Sequence, residues 1–222
     1  MKVLKFNTSV RKVFFASDAH LDHQRDFVYA PRGFTSPDEH TRAVIQGINA
    51  VVGVDDILIY LGDFTLNSSV DRTKAYFRQI KCQNIYFIWG NHESNTHKIY
   101  EEALEREFGG PVTFEAYPIS WENVTFLGRE AFIAVDKQTI FISHFAHLIW
   151  EEMQHGVWHL CGHSHSNCKQ INPECVEGKI LDVGVDNALR VYKSPVFSYE
   201  QVAEIMKKKK LVVIDHHNKT TT

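Results

Sequence analysis

The sequence predicts a layered α/β protein whose sheets mix parallel and antiparallel pairing, and three observations carry that expectation. Apolar runs of strand length recur through the 222 residues, and stretches with helical spacing and helix caps separate the first few of them. The resulting order is β-α-β-α-β-α and then a run of strands, which is neither an all-helical nor an all-strand pattern.

Strand-length runs fall at about 10–17, 56–61, 84–89, 124–127, 131–135, 139–143, 157–161 and 179–183, each stopped by a polar or glycine-containing segment. The first helix is announced by Ser36-Pro37-Asp38-Glu39, a serine cap with proline at the first helical position and glutamate three residues on. It continues with Val44, Ile48, Val51 and Val52 and is expected to stop at Gly53. Further helices are expected over about 69–79, over 94–108 with a stop at Gly109-Gly110, and from Ser198 into the lysines 207–210. Those lysines complement a helix C-terminus and read as a solvated face rather than a nucleic-acid patch. No repeat or linker divides the chain, so one domain over 1–222 is expected, with 211–222 as a tail whose end, 215–222, is frayed.

Composition narrows the function. A chain of this length buries roughly 70–75% of its unfolded surface, enough for a sizeable core. With 44% hydrophobic residues, 23% charged residues and a net charge of −3, it matches neither a disordered segment nor a strongly basic nucleic-acid coat. There is no signal-peptide pattern at the N-terminus and no run of 18 apolar residues, so a soluble cytoplasmic protein is expected, in the host cytoplasm if phage-encoded. Cys82, Cys161, Cys168 and Cys175 form no C-x-x-C pair and are expected to be reduced thiols rather than a disulfide framework or a zinc site. Thirteen histidines is a high count, and their clustering matters more than the number.

The strand ends carry the chemistry. VFFAS runs into Asp18-Ala19-His20, ILIYL into Gly62-Asp63, IYFIW into Gly90-Asn91-His92-Glu93, IFIS into His144, and the strand ending at Cys161 into Gly162-His163-Ser164-His165. In open α/β sheets such ends gather at one edge. Singly, Asp18 suits a turn, Asp63 a helix cap, Asn91 a left-handed turn position and His144 a buried, hydrogen-bonded histidine. Jointly, carboxylate and imidazole donors suit manganese, iron or zinc, and seven of them exceed one ion's coordination. Two cations close together can clamp the attacking and leaving oxygens of a displacement at phosphorus. Gly62, Gly90 and Gly162 each precede a donor, where a sharp turn or close backbone approach suits a residue without Cβ.

In order and spacing these five blocks resemble the calcineurin-like metallophosphoesterase superfamily, and VGVD at 183–186 with PVFSYE at 195–200 is similar to the closing segment of its small prokaryotic and phage-type members. The resemblance implies a four-layer α-β-β-α sandwich with two mixed β-sheets and a binuclear centre at the strand C-terminal ends. It implies that Asp18, His20 and His165 hold one metal, that Asn91, His144 and His163 hold the other, and that Asp63 bridges them. Two divalent ions follow, manganese foremost, with iron, zinc, nickel or magnesium as alternatives. His92 takes the family's general-acid position, and Glu93 beside it would support the centre without binding metal. The implied reaction is hydrolysis of a phosphodiester, or also a monoester, by a metal-bridging hydroxide.

Substrate choice lies outside these blocks. The segment 21–34 is expected to form a loop at the rim, where His23 and Arg32 would contact a phosphate or a base. His147 is a further candidate, with a helix-surface position in 145–153 as its alternative. Tyr29, Phe34, Phe64 and Trp150 would either stack on a base or sit in the core. The expected partner is a small phosphoester or nucleotide, with no stable nucleic-acid complex and no membrane; the oligomeric state is left open. Two other readings compete. A protein Ser/Thr phosphatase would carry an arginine shortly after the Asn-His pair, where 93–98 reads ESNTHK; a non-catalytic scaffold on the same fold would have lost donors that are all intact here.

Overall fold

The computed structural model describes residues 3–167 and 178–212. In chain order its strands are β1 (Leu4–Phe6), β2 (Val13–Ala16), β3 (Ile57–Tyr60), β4 (Ile85–Ile88), β5 (Ile119–Trp121), β6 (Val124–Gly128), β7 (Glu130–Val135), β8 (Gln138–Ser143), β9 (Trp158–Cys161), β10 (Ile180–Asp182) and β11 (Phe197–Ser198). They form a six-stranded sheet ordered β11-β2-β3-β4-β6-β5 and a five-stranded sheet ordered β1-β7-β8-β9-β10. Both are mixed. The neighbours β2, β3, β4 and β6 run parallel while β11 and β5 pair antiparallel at the edges, and β7 pairs antiparallel with β8. The expected α/β fold with two mixed sheets flanked by helices is what the chain adopts.

Side-chain alternation explains the layering. In β2 and β3, Phe14, Ala16, Leu58 and Tyr60 join one buried cluster with Val44 and Ile48 of α2 (Pro37–Val51), Phe77 of α3 (Val70–Gln79) and Ile99 and Tyr100 of α4 (Ser94–Phe108). Their neighbours Val13, Phe15, Ile57 and Ile59 point the other way, onto Ile133, Ile140, Ile142 and Leu160 of the second sheet. Strands buried on both faces read as continuous apolar runs, which is why they are prominent in the sequence. Each large side chain fully buried here stabilises the fold by about 1.5–3 kcal/mol. The outer face of the second sheet buries Phe141, Cys161 and Ile180 under Trp150, Met153 and Val157.

The helix starts follow their caps. Ser36 Oγ accepts from Glu39 N at 3.2 Å and Ser69 Oγ from Arg72 N at 3.2 Å, while α4 ends at Gly109 with φ of 75°. Helix α2 stops at Val51, short of Gly53. Two further helices are α5 (Val185–Tyr192) and α6 (Tyr199–Lys208), the latter opened by a capping box between Ser198 and Gln201. Helix α5 and the short α1 (Asp26–Tyr29) are additions to the sequence-based expectation, and neither has a side-chain cap. Strands β1, β5 and β11 are also additions, being two or three residues long. The segment 145–152 forms no helix, only leading into a 3-10 turn at Met153–His155.

Cys82 and Cys161 are buried; Cys168, Cys175 and the tail 215–222 lie outside the described residues. Among the described residues no helix is long and apolar enough to cross a membrane.

Candidate metal centre

Parallel pairing of β2, β3 and β4 aligns three strand ends, and parallel pairing of β8 and β9 aligns two more. Backbone hydrogen bonds lock the first loops together: Asp18 N donates to Gly62 O at 3.0 Å and His20 N to Asp63 O at 3.0 Å. The donors stand on strained backbone, since Asp18, His20, Asp63, His163 and His165 all have positive φ, between 47° and 66°. Such strain costs on the order of 1–3 kcal/mol per residue and is tolerated where a site demands the geometry. Close approach explains two glycines: a Cβ on Gly90 would collide with Asp63 Oδ1, and one on Gly162 with Ser17 Oγ and Asp18 Oδ2.

Two groups of donors result. Asp18, His20 and His165 offer ligand atoms within 4.8 Å of one another, and so do Asp63, His144 and His163. Asp63 Oδ2 lies 3.7 Å from His20 Nε2 and 3.5 Å from His144 Nε2, so a single carboxylate oxygen faces both groups. Asn91 Oδ1 lies 3.0 Å from His144 Nε2 and 2.9 Å from His163 Nδ1, which places it with the second group. All seven donors from the strand ends therefore converge.

The donor set fits cations on its own chemistry. Asp18 is fully buried, its Oδ1 has no hydrogen-bond partner, and burial pushes its carboxyl up to about 6. A buried carboxylate in that condition is short of positive charge. His20 and His165 face each other through Nε2 at 3.2 Å, and His165 Nδ1 already donates to Asp186 Oδ2 at 2.6 Å, so His165 turns a lone pair inward. His144 repeats the pattern, with Nδ1 donating to Leu61 O at 2.7 Å and Nε2 aimed at Asn91 and Asp63 oxygens. Burial opposes charge on His144, yet the hydrogen bond and charge of Asp63 and the charge of Asp18 raise it to about 9. Something positive belongs between these groups, and a divalent cation meets the same requirement as that proton.

The remaining site residues divide. His92 is exposed, its ring centroid 5.7 Å from that of His20, and its backbone N–H donates to Asp63 Oδ1 at 3.0 Å. Glu93 is buried, accepts from Asp63 N at 2.5 Å and is pushed up to about 7 by burial. His23 is buried 6.1 Å from His20, ring to ring; its Nδ1 accepts from Arg25 N at 3.0 Å, which leaves Nε2 as the protonated nitrogen. His147 turns to Phe141 and His159 instead of the donors. Phe64 stacks on Phe77 in the core, Trp150 is buried behind the second sheet, and Phe34 packs against His40.

Arg32 corrects the expectation of a phosphate contact. Its side chain is 2% exposed, and its five N–H donors are all engaged: two on Asp186 at 2.8 and 2.7 Å, one on Ala19 O at 2.8 Å, one on Asp18 O at 2.7 Å and one on His40 Nε2 at 2.8 Å. No donor is left for a substrate. Sequence reading missed Asp186 and Asp182, which shape the last loop from the β10–α5 segment. Asp182 Oδ2 accepts from Ser164 Oγ at 2.5 Å and from Ser166 N at 3.0 Å. Asp182 and Asp186, four residues apart beside the VGVD match, were the available signal.

The chain is similar to proteins of two other organisms. An uncharacterized protein of Methanocaldococcus jannaschii, MJ1445, is 32% identical over 85 residues, which are 38% of this chain and 48% of that protein, so the chain spans about half the length of this relative. The crystal structure of a protein of unknown function from Aquifex aeolicus, AQ665, shares the fold with a TM-score of 0.60 at 14% identity, covering 88% of this chain and 99% of that one. A model of the calcineurin-like phosphoesterase family matches residues 11–216, and the chain belongs to that family.

Proposed function

We propose that the protein is a binuclear metallophosphoesterase that hydrolyses phosphodiester bonds, and also monoesters, of a small or nucleotide-type substrate. The observation that carries the reading is the single oxygen, Asp63 Oδ2, facing both His20 and His144 across two complete donor groups. Asp18, His20 and His165 would hold one divalent ion, and Asn91, His144 and His163 the other, with Asp63 shared. Manganese suits this mixed carboxylate, amide and imidazole set. When bound, the two ions supply a nucleophile from water near neutral pH and neutralise charge on the phosphoryl oxygens.

The chain's own residues then divide the work. Asp63 is oriented from both sides, by His92 N–H on Oδ1 and by Glu93 Oε1 on its backbone N–H. His92, exposed beside His20, donates a proton to the departing oxygen, the general-acid role that an imidazole most often takes. His23, held with Nε2 protonated, offers a neutral hydrogen bond to a phosphoryl oxygen.

A panel of bis-p-nitrophenyl phosphate, p-nitrophenyl phosphate and linear and cyclic nucleotides, each with manganese, nickel, zinc and magnesium, tests the proposal. Hydrolysis of the diesters is expected first. No turnover of any ester with any metal would remove the enzyme reading in favour of a scaffold.

A further inference from the structure

Asp186 lies 21 residues beyond His165 and 154 beyond Arg32, yet one of its oxygens joins them: Oδ2 accepts from His165 Nδ1 at 2.6 Å and from Arg32 Nη2 at 2.7 Å. Its other oxygen accepts from Arg32 Nε at 2.8 Å, completing a two-pronged grip. The same guanidinium reaches the backbone carbonyls of Asp18 and Ala19, in the two peptide units that link the donors Asp18 and His20. One arginine thus ties together the loop that carries Asp18 and His20, the loop that carries His165, and the start of α5.

We propose that Asp186, clamped by Arg32, is the positioning residue for the first cation. It fixes the His165 ring with Nδ1 protonated and the Nε2 lone pair turned toward Asp18 and His20. A carboxylate bonded to the far nitrogen of a ligating imidazole fixes its tautomer and makes it more basic. The second group has no equivalent on His144, whose Nδ1 donates to the neutral carbonyl of Leu61 at 2.7 Å. The two halves of the centre therefore differ in a charged brace, and Asp186 acts on one half only. This inference rests on the binuclear reading above and deepens it.

The test is calorimetric titration of Mn2+ into the chelator-treated chain at pH 8, with thermal melting of each metal-free variant to verify folding. Wild type is expected to show two binding events. In Asp186→Ala one event should weaken roughly 10- to 100-fold while the other stays within about threefold, and His165→Ala should weaken that same event. Arg32→Lys keeps the charge but loses the grip, and should weaken the same event to a smaller extent. If Asp186→Ala fails to fold, Asp186→Asn, which retains one acceptor for His165, carries the test with an expected loss of about tenfold. General loosening of the fold would not select one event. Two events weakened equally, or both unchanged, would overturn the positioning role while leaving the binuclear reading intact. Wild type binding no Mn2+ would overturn the binuclear reading and this inference with it.

Discussion

His144, just past the end of β8, and His159, within the adjacent β9, are both fully buried, and they have opposite meanings. Each donates one ring N–H to a backbone carbonyl, His144 to Leu61 O at 2.7 Å and His159 to Phe141 O at 3.3 Å. The difference lies in the second nitrogen. His159 Nε2 accepts from His147 N–H at 3.0 Å, so the ring is neutral and satisfied, and burial lowers it to about 3. His144 Nε2 instead faces the oxygens of Asn91 and Asp63, and the neighbouring carboxylates Asp63 and Asp18 pull its pKa upward. A buried histidine reads as a ligand when its second nitrogen meets acceptors, and as structure when it meets a donor. The prediction is that every treatment which removes cations acts through the first kind and leaves the second untouched.

The largest effect should come from the carboxylate shared by both donor groups. Asp63→Asn is expected to reduce phosphodiester turnover by more than about 10³-fold and to abolish both Mn2+ binding events, because a neutral amide cannot bridge two cations. Steady-state kinetics and metal analysis on the same preparation check it. Retention of two ions at wild-type affinity would remove Asp63 from its bridging place. Next comes His92→Asn, expected to keep both ions while turnover falls about 10²- to 10⁴-fold, the range of a lost general acid. Loss of metal together with activity would show that His92 supports the centre instead of the proton transfer.

Those residues were legible in the sequence because each follows an apolar strand directly, so chain order alone predicts that they share an edge. The helix starts at Ser36, Ser69 and Ser198 were legible for a similar reason, since each serine and the backbone N–H it accepts from lie three residues apart. What the sequence concealed was long-range or short. Arg32 looked like a rim residue because nothing local reveals Asp186, 154 positions away, as its partner. Strand β11 is two residues and β5 three, too brief for alternation to register. Asn91 has no left-handed backbone, whereas Asp18 and Asp63 do, so turn propensity alone misassigned which donor sits on strained backbone.

A smaller effect separates the two histidines by ligand linkage. Mn2+ at about 100 times its dissociation constant should stabilise the folded chain by about 2.7 kcal/mol per site. Melting curves with and without Mn2+ should show this shift in wild type and in His159→Gln, and a reduced shift in His144→Ala. An equal loss in His159→Gln would mean that the satisfied histidine also serves the centre.

The smallest effect is a pH dependence that belongs to His159 and not to the centre. Its folded pKa lies below its unfolded value of 6.5, at about 3, so the unfolded chain takes up a proton that the folded chain refuses. Stability from this group is therefore complete above pH 6.5 and is lost progressively as pH falls from 6.5 toward 3. Between pH 8 and pH 5 the loss is on the order of 2 kcal/mol by linkage. Denaturant unfolding of chelator-treated wild type and His159→Gln at those two pH values isolates it, because the buried donors of the centre titrate in both proteins and cancel in the difference. Wild type should lose more stability than the variant. Parallel losses would mean that the unfolded and folded states protonate His159 alike, and that the bond from His147 N–H does not hold it neutral.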